Sequence, residues 1–175
     1  MLSERVEAMA QQILKLSNWD GSFPVDPKSL SQNFRIKKTL SGDSEPSIID
    51  IKMIGDNLGR LSGSAELSEL DGKPLFICKY NNTEVDYRSR FTQAHELGHI
   101  VLGHVDRNRK LLRDESFNYY DPLEFEANGF AAAFLMPEFS VRKKLESTSD
   151  AQYLATFFGV SPTALKYRLK NLNLA

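Results

Sequence analysis

A single cysteine in 175 residues leaves no internal disulfide to be made, so an apolar core has to hold the fold. Cys78 lies in the apolar run Leu75, Phe76, Ile77, Cys78 and reads as a core thiol rather than a nucleophile or ligand. No apolar run approaches the ~20 residues of a membrane-spanning helix. Neither sign of charge dominates: 22 basic residues face 23 acidic ones, a net charge of −1, so nothing global marks a nucleic-acid or membrane-surface protein. Repeats and low-complexity tracts are absent. Met1 to Leu16 is amphipathic and carries Glu4 and Glu7, unlike a signal peptide. These absences predict a cytoplasmic globular protein with no membrane contact.

What is present predicts an α+β chain. Leu2, Val6, Met9, Ile13 and Leu16 recur at helical spacing. Asp26 followed by Pro27 is a cap and first-turn proline, predicting a short helix to about Asn33. Phe34, Ile36 and Leu40, then Ile49, Ile51 and Met53, read as strands separated by the loop Ser41 to Pro46. Asp71-Gly72 is a hairpin signal joining a strand within 62–70 to the run around Phe76, which is apolar on both faces and therefore interior. The β part precedes most of the helices, as in α+β folds. Asp121-Pro122 opens a further helix that Pro137 ends, and an amphipathic stretch runs from about Glu138 to Leu145. The predicted organisation is a main domain over 1–148 and a C-terminal helical segment over 149–175. The mixed-charge stretch 105–120 reads as a solvated loop.

The stretch that carries chemistry is His95-Glu96-Leu97-Gly98-His99. Two imidazoles four residues apart on a helix stand one turn apart on nearly the same face, the spacing needed to grip one metal ion. A Glu directly after the first His can take the proton of an attacking water. H-E-x-x-H is therefore a zinc-hydrolase signature, with His95 and His99 as ligands and Glu96 as general base. At 100° per residue from Phe91, His95 falls at about 40°, His99 at about 80° and Glu96 at about 140°. Ala94, Leu97, Gly98, Ile100, Val101 and Leu102 fill most of the remainder, so the helix should be buried with one narrow polar wedge. Buried without partners, two His and a Glu are costly, and a metal is the natural partner.

A catalytic zinc takes three protein ligands and water. His104 falls at about 220° on the same wheel, opposite His95, and reads as a helix-end residue near the last carbonyls. Asp121 is better employed as a cap. Glu124 has Asp121 and Asn128 at i−3 and i+4, a polar and outward face. Glu126 has Leu123, Phe130 and Ala133 at i−3, i+4 and i+7, so it should point inward. Glu126 is the expected third ligand and Glu124 the alternative. For a transition-state stabiliser the sequence offers only Tyr119, Tyr120, His104 and Arg90 as candidates.

Arg90 to His99, followed by Glu126-Ala127-Asn128-Gly129-Phe130-Ala131-Ala132 and Leu135-Met136-Pro137, resembles the ImmA/IrrE family of bacterial and phage metallopeptidases. The hairpin at Asp71-Gly72 and the strand leading to Asn81 and Asn82 are similar as well, and the resemblance spans most of residues 25 to 172. It implies a zincin-like fold, a small and mostly antiparallel sheet on the H-E-x-x-H helix. It also implies one zinc ion (Zn2+) per chain on His95, His99 and Glu126, with Glu96 as base. Members of that family are associated with cleaving helix-turn-helix repressors encoded beside them, which implies such a repressor as protein substrate. Others belong to toxin–antitoxin-like pairs, so the alternatives are a catalytically silent metal-bound interaction module and a DNA-binding regulator. The additional sensor domain of some members is not expected here.

At the C-terminus, Ser161-Pro162 opens a helix in which Leu165, Leu169 and Leu172 form a stripe and Lys166, Arg168 and Lys170 make it basic. With the preceding stretch it has the outline of a helix-turn-helix. Its net charge is only +2, from those three bases against Asp150, which gives little phosphate affinity. DNA binding is not expected, and packing on the peptidase or docking a protein is.

Overall fold

The computed structural model describes residues 3–113 and 121–175. The first helix, α1 (Glu4–Leu16), is capped by Ser3 and buries Val6, Ala10, Ile13 and Leu14. Asp26 accepts a hydrogen bond from the Ser29 amide and opens α2 (Pro27–Leu30), which tightens into a 3-10 turn over Ser31–Asn33. The short strand β1 (Ile36–Lys38) precedes β2 (Ser47–Asp56), in which Ile49, Ile51 and Met53 face the core while Asp50 and Lys52 face out. This is the period-two alternation of a half-buried strand.

Asp71 and Gly72 both adopt positive φ, 53° and 76°, and close the two-residue hairpin between β3 (Gly63–Leu70) and β4 (Lys73–Asn81). Positive φ at both central residues matches the twist of the flanking strands. With β5 (Leu111–Arg113) the sheet order is β1-β2-β4-β3-β5. β4 occupies the centre, as its apolar character requires, with Phe76 and Cys78 fully buried.

The mostly antiparallel sheet has one parallel pairing, which the central position of β4 explains. β3 leaves β2 and descends on the far side, so the returning β4 runs parallel to β2 while pairing antiparallel with β3. The sheet is mixed: β1–β2, β3–β4 and β3–β5 are antiparallel and β2–β4 is parallel.

At the end of β4, Asn81 organises the passage from sheet to helix. Its side-chain amide donates to the Gly59 and Leu61 carbonyls at 3.0 Å, and its Oδ1 accepts from the Thr83 amide and hydroxyl. Ser89 then donates to the Asn81 carbonyl, anchoring the first turns of α3 (Asp86–Val101) to the sheet. The helix α4 (Pro122–Leu135) starts on the Asp121 cap and lies against α3. Contact is close because Gly98 lacks a side chain: a Cβ there would fall 2.9 Å from a Phe130 ring carbon.

Three helices close the chain: α5 (Glu138–Leu145), α6 (Ala151–Phe158) and α7 (Pro162–Asn171). Gly159, left-handed at φ 67°, turns α6 toward α7, and Arg90 of α3 donates to its carbonyl at 2.7 Å. Arg168 stands apart from the other two bases of α7. Lys166 and Lys170 are exposed, but Arg168 is 1% exposed. Its guanidinium binds both oxygens of Glu7 on α1, at 2.7 and 2.8 Å, and donates from Nε to the Met136 carbonyl at the end of α4. One side chain thus ties the C-terminal helix to the first helix and to α4. Among the described residues, no helix is long and apolar enough to cross a membrane.

Candidate metal centre

The chain's three histidines meet where α3 faces α4. His95 and His99 are 0% and 1% exposed, and their Nε2 atoms stand 3.0 Å apart. Glu124, in the first turn of α4, reaches both: Oε2 lies 3.0 Å from His95 Nε2 and Oε1 3.0 Å from His99 Nε2. Burial opposes ionisation of Glu124, but protonated imidazoles donating from Nε2 would outweigh it and hold the carboxyl well below the ordinary carboxylate range; a metal ion on the two Nε2 lone pairs would take the place of those protons.

Each imidazole is oriented from behind. His95 Nδ1 is 2.8 Å from Asn128 Oδ1, an acceptor, so Nδ1 carries a proton, and in the neutral ring Nε2 carries the lone pair. His99 Nδ1 is 2.9 Å from His104 Nδ1, and His104 Nε2 is 2.8 Å from Glu126 Oε2. Burial pulls the His104 imidazole below its ordinary range, and the hydrogen bond to Glu126 opposes this only in part.

The donor set fits a metal ion. Two imidazole Nε2 atoms and a carboxylate converge on one point, and His95, His99 and Glu124 lie close enough to bind it. Ligand atoms about 2.0–2.1 Å from a tetrahedral zinc stand roughly 3.3 Å from one another. The observed 3.0 Å separations match that within a few tenths of an ångström. Two nitrogens and one carboxylate suit zinc better than magnesium or calcium, which prefer oxygen.

The structure brings Glu124, not Glu126, to the His pair. The expectation fails for a physical reason. Nearly every α4 position from Ala127 onward is buried, so the apolar residues flanking Glu126 do not define a single inward face. Glu124 and Asn128, on the polar side, face the imidazoles instead of solvent, since a row of polar side chains serves water or a metal site equally well. Glu126 points to the edge, 32% exposed, where Arg5 approaches both its oxygens at 3.4 Å. Asn128 is a site residue that sequence reasoning misses; its only signal is standing four residues beyond a candidate carboxylate.

His104 also departs from its expected place. The wheel assumes a helix continuing through residue 104, but α3 ends at Val101 and Gly103 turns left-handed at φ 82°. The chain doubles back, the His104 amide donates to the His99 carbonyl at 2.9 Å, and the ring returns to the His99 ring.

Glu96 is 1% exposed and lies beneath β3. A Cβ on Gly63 would fall 2.8 Å from Glu96 Oε1, 2.6 Å from a Thr92 methyl and 2.8 Å from the Lys79 carbonyl. The strand thus passes directly over the carboxylate, and the Glu96 charge adds to burial in pushing the Cys78 thiol up. Of the candidate stabilisers, Arg90 is committed to the Gly159 carbonyl, His104 sits behind His99, and Tyr119 and Tyr120 lie outside the described residues.

An α+β chain with this cluster has the make-up of a metallopeptidase-type domain. Residues 75–170 match the IrrE N-terminal-like domain family, Peptidase_M78, and the chain belongs to that family. No curated protein matches the chain. Among solved structures, a Mycobacterium tuberculosis transcriptional regulator shares the fold with a TM-score of 0.58 at 15% identity, covering 96% of this chain. The chain spans about half of that protein, 47% of its length.

Proposed function

We propose that the protein is a zinc-dependent endopeptidase whose substrate is a cognate helix-turn-helix repressor, cleaved to derepress mobile-element or stress genes. The observation that carries the hydrolase reading is the convergence of His95 Nε2, His99 Nε2 and the Glu124 carboxylate, with a hydrogen-bonding partner behind the Nδ1 of each imidazole. Membership of the IrrE N-terminal-like family supports it. The substrate class follows from the resemblance to ImmA/IrrE peptidases.

His95, His99 and Glu124 hold the zinc. When bound, zinc supplies Lewis acidity, polarising a peptide carbonyl and bringing the pKa of water to about 7. Glu96 accepts the proton of the attacking water and returns it to the leaving amine. Its burial under Gly63 keeps the carboxylate in one place and limits competing water. Asn128 holds the His95 ring. The zincin-like assignment belongs to this proposal, as does a cytoplasmic setting beside the repressor.

The test is co-incubation of the protein with the repressor encoded beside it, in zinc, with and without a chelator. Cleavage that requires zinc and is lost in Glu96→Gln supports the reading. Zinc-loaded protein that binds the repressor and leaves it intact rejects the peptidase in favour of an interaction module.

A further inference from the structure

We propose that His104 and Glu126 are positioning residues that fix the tautomer and ring plane of His99 for metal ligation, acting as a two-residue relay behind it. The inference rests on the metal-centre reading above. The two ligand imidazoles are supported differently. His95 rests on one neutral amide oxygen, Asn128 Oδ1 at 2.8 Å. His99 faces another imidazole, His104 Nδ1 at 2.9 Å, and an imidazole nitrogen has no fixed role until its own far side is settled.

Glu126 settles it. An ionised carboxylate only accepts, so His104 Nε2, 2.8 Å from Glu126 Oε2, must be the donor. A neutral His104 then presents a lone pair at Nδ1. His99 must donate from Nδ1 to meet it, which leaves the His99 Nε2 lone pair facing His95 and Glu124. Reversing any one proton in this chain sets two donors or two acceptors against each other. The direction therefore runs one way, from the anion outward to the ligand nitrogen.

Backbone geometry keeps the relay in place. Gly103 at φ 82° folds the chain back so that the His104 amide bonds to the His99 carbonyl, locking ring and backbone of His104 onto the same residue. Arg5 closes the outer end, with Nη1 3.4 Å from both Glu126 oxygens and Nη2 donating to the Leu102 carbonyl at 3.1 Å. The first helix is thereby linked to the metal centre through the carboxylate that the sequence nominated as a direct ligand.

The experiment measures zinc affinity by competition with a chromophoric chelator for wild type, His104→Ala, His104→Asn, Glu126→Ala and the His104→Ala/Glu126→Ala double variant. His99→Ala marks loss of a direct ligand, and circular dichroism checks the fold. Partners behind a ligand are worth 10–100-fold in metal affinity, so His104→Ala and Glu126→Ala should each bind zinc about 10–100-fold more weakly without abolishing it. His104→Asn should recover most of the loss, because its amide oxygen can accept from His99 Nδ1–H. The double variant should be no weaker than His104→Ala, since Glu126 acts through His104. Histidine 15N spectra of the zinc-loaded wild type should show His99 protonated at Nδ1.

Undiminished affinity in His104→Ala overturns the relay, as does strict additivity in the double variant. Complete zinc loss in Glu126→Ala, matching His99→Ala, also overturns it and makes Glu126 a ligand. If His104→Ala does not fold, His104→Asn and Glu126→Ala carry the same comparison. A wild type that takes up no zinc overturns the metal-centre reading itself, whereas a zinc-binding wild type with indifferent variants overturns the relay alone.

Discussion

Glu124 and Asn128 stand one turn apart on α4 and hold the same imidazole from opposite sides, Glu124 Oε2 3.0 Å from His95 Nε2 and Asn128 Oδ1 2.8 Å from His95 Nδ1. One helix face therefore supplies both a candidate ligand and the hydrogen-bonding partner behind another candidate ligand. Glu124→Ala should abolish zinc binding, as His95→Ala and His99→Ala should. Asn128→Ala should weaken it about 10–100-fold. Metal content after gel filtration checks the first group and chelator competition the second. Full zinc retention by Glu124→Ala would show that the third ligand lies elsewhere.

Glu96→Gln separates catalysis from metal holding. The amide keeps the shape but cannot take a proton at neutral pH. Zinc content and repressor binding should stay normal while turnover falls by at least ~10²-fold. The measurement is cleavage of the cognate repressor under single-turnover conditions, and a wild-type rate in this variant removes Glu96 from the role of base.

Gly63→Ala should damage the site without touching a ligand. The new Cβ meets the Thr92 methyl, Glu96 Oε1 and a backbone carbonyl at 2.6–2.8 Å, and the carbonyl has no freedom to yield. Overpacking of this kind costs about 1–3 kcal/mol. Urea unfolding should show that loss, and cleavage should drop while zinc content remains near one per chain. A variant as active and stable as wild type would show that β3 does not pin Glu96.

Arg168→Ala should destabilise the whole molecule. The guanidinium is 1% exposed, while the Glu7 side chain it pairs with is 19% exposed. Breaking such a pair strands the carboxylate and a carbonyl, at roughly 3 kcal/mol. Arg168→Lys should restore little, since an ammonium cannot bridge both carboxylate oxygens and the Met136 carbonyl in one plane. Thermal denaturation of zinc-free protein measures this apart from the metal. Lys166→Ala and Lys170→Ala, both at exposed positions, are the neutral controls.

Acid should release the zinc. His95 and His99 ligate only as neutral imidazoles, so protons compete with zinc as the pH falls, and affinity declines in that direction. Burial keeps His104 below its ordinary range, so its protonation needs a lower pH than that of an ordinary imidazole. Equilibrium dialysis from pH 8 to pH 5 reads the release. Affinity that holds constant across this window would argue against two imidazole ligands.

Much of the fold was legible in the sequence because its signals are local. The Asp26 and Asp121 caps, the first-turn prolines, the Asp71-Gly72 hairpin and the four-residue spacing of His95 and His99 each depend on a few neighbouring residues and standard backbone geometry. Even the central place of β4 followed from a short apolar run. The parallel sense of β2 and β4 did not, because it depends on which side of β4 receives β3.

By itself, the sequence determined the paired imidazoles, the carboxylate between them, and the helix that presents them. Only the tertiary structure decided which glutamate joins them. Glu124 and Glu126 are two residues apart, so they point to different sides of α4, and the packing of α4 on α3 turns Glu124 rather than Glu126 to the imidazoles. Only the tertiary structure put His104 behind His99 as well. Helical periodicity ends where the helix ends, and the left-handed turn at Gly103 moves the next side chain to a place that no wheel describes. Arg168 shows the same limit: a base on an amphipathic helix is solvated unless a distant carboxylate, here Glu7, reaches it inside the core.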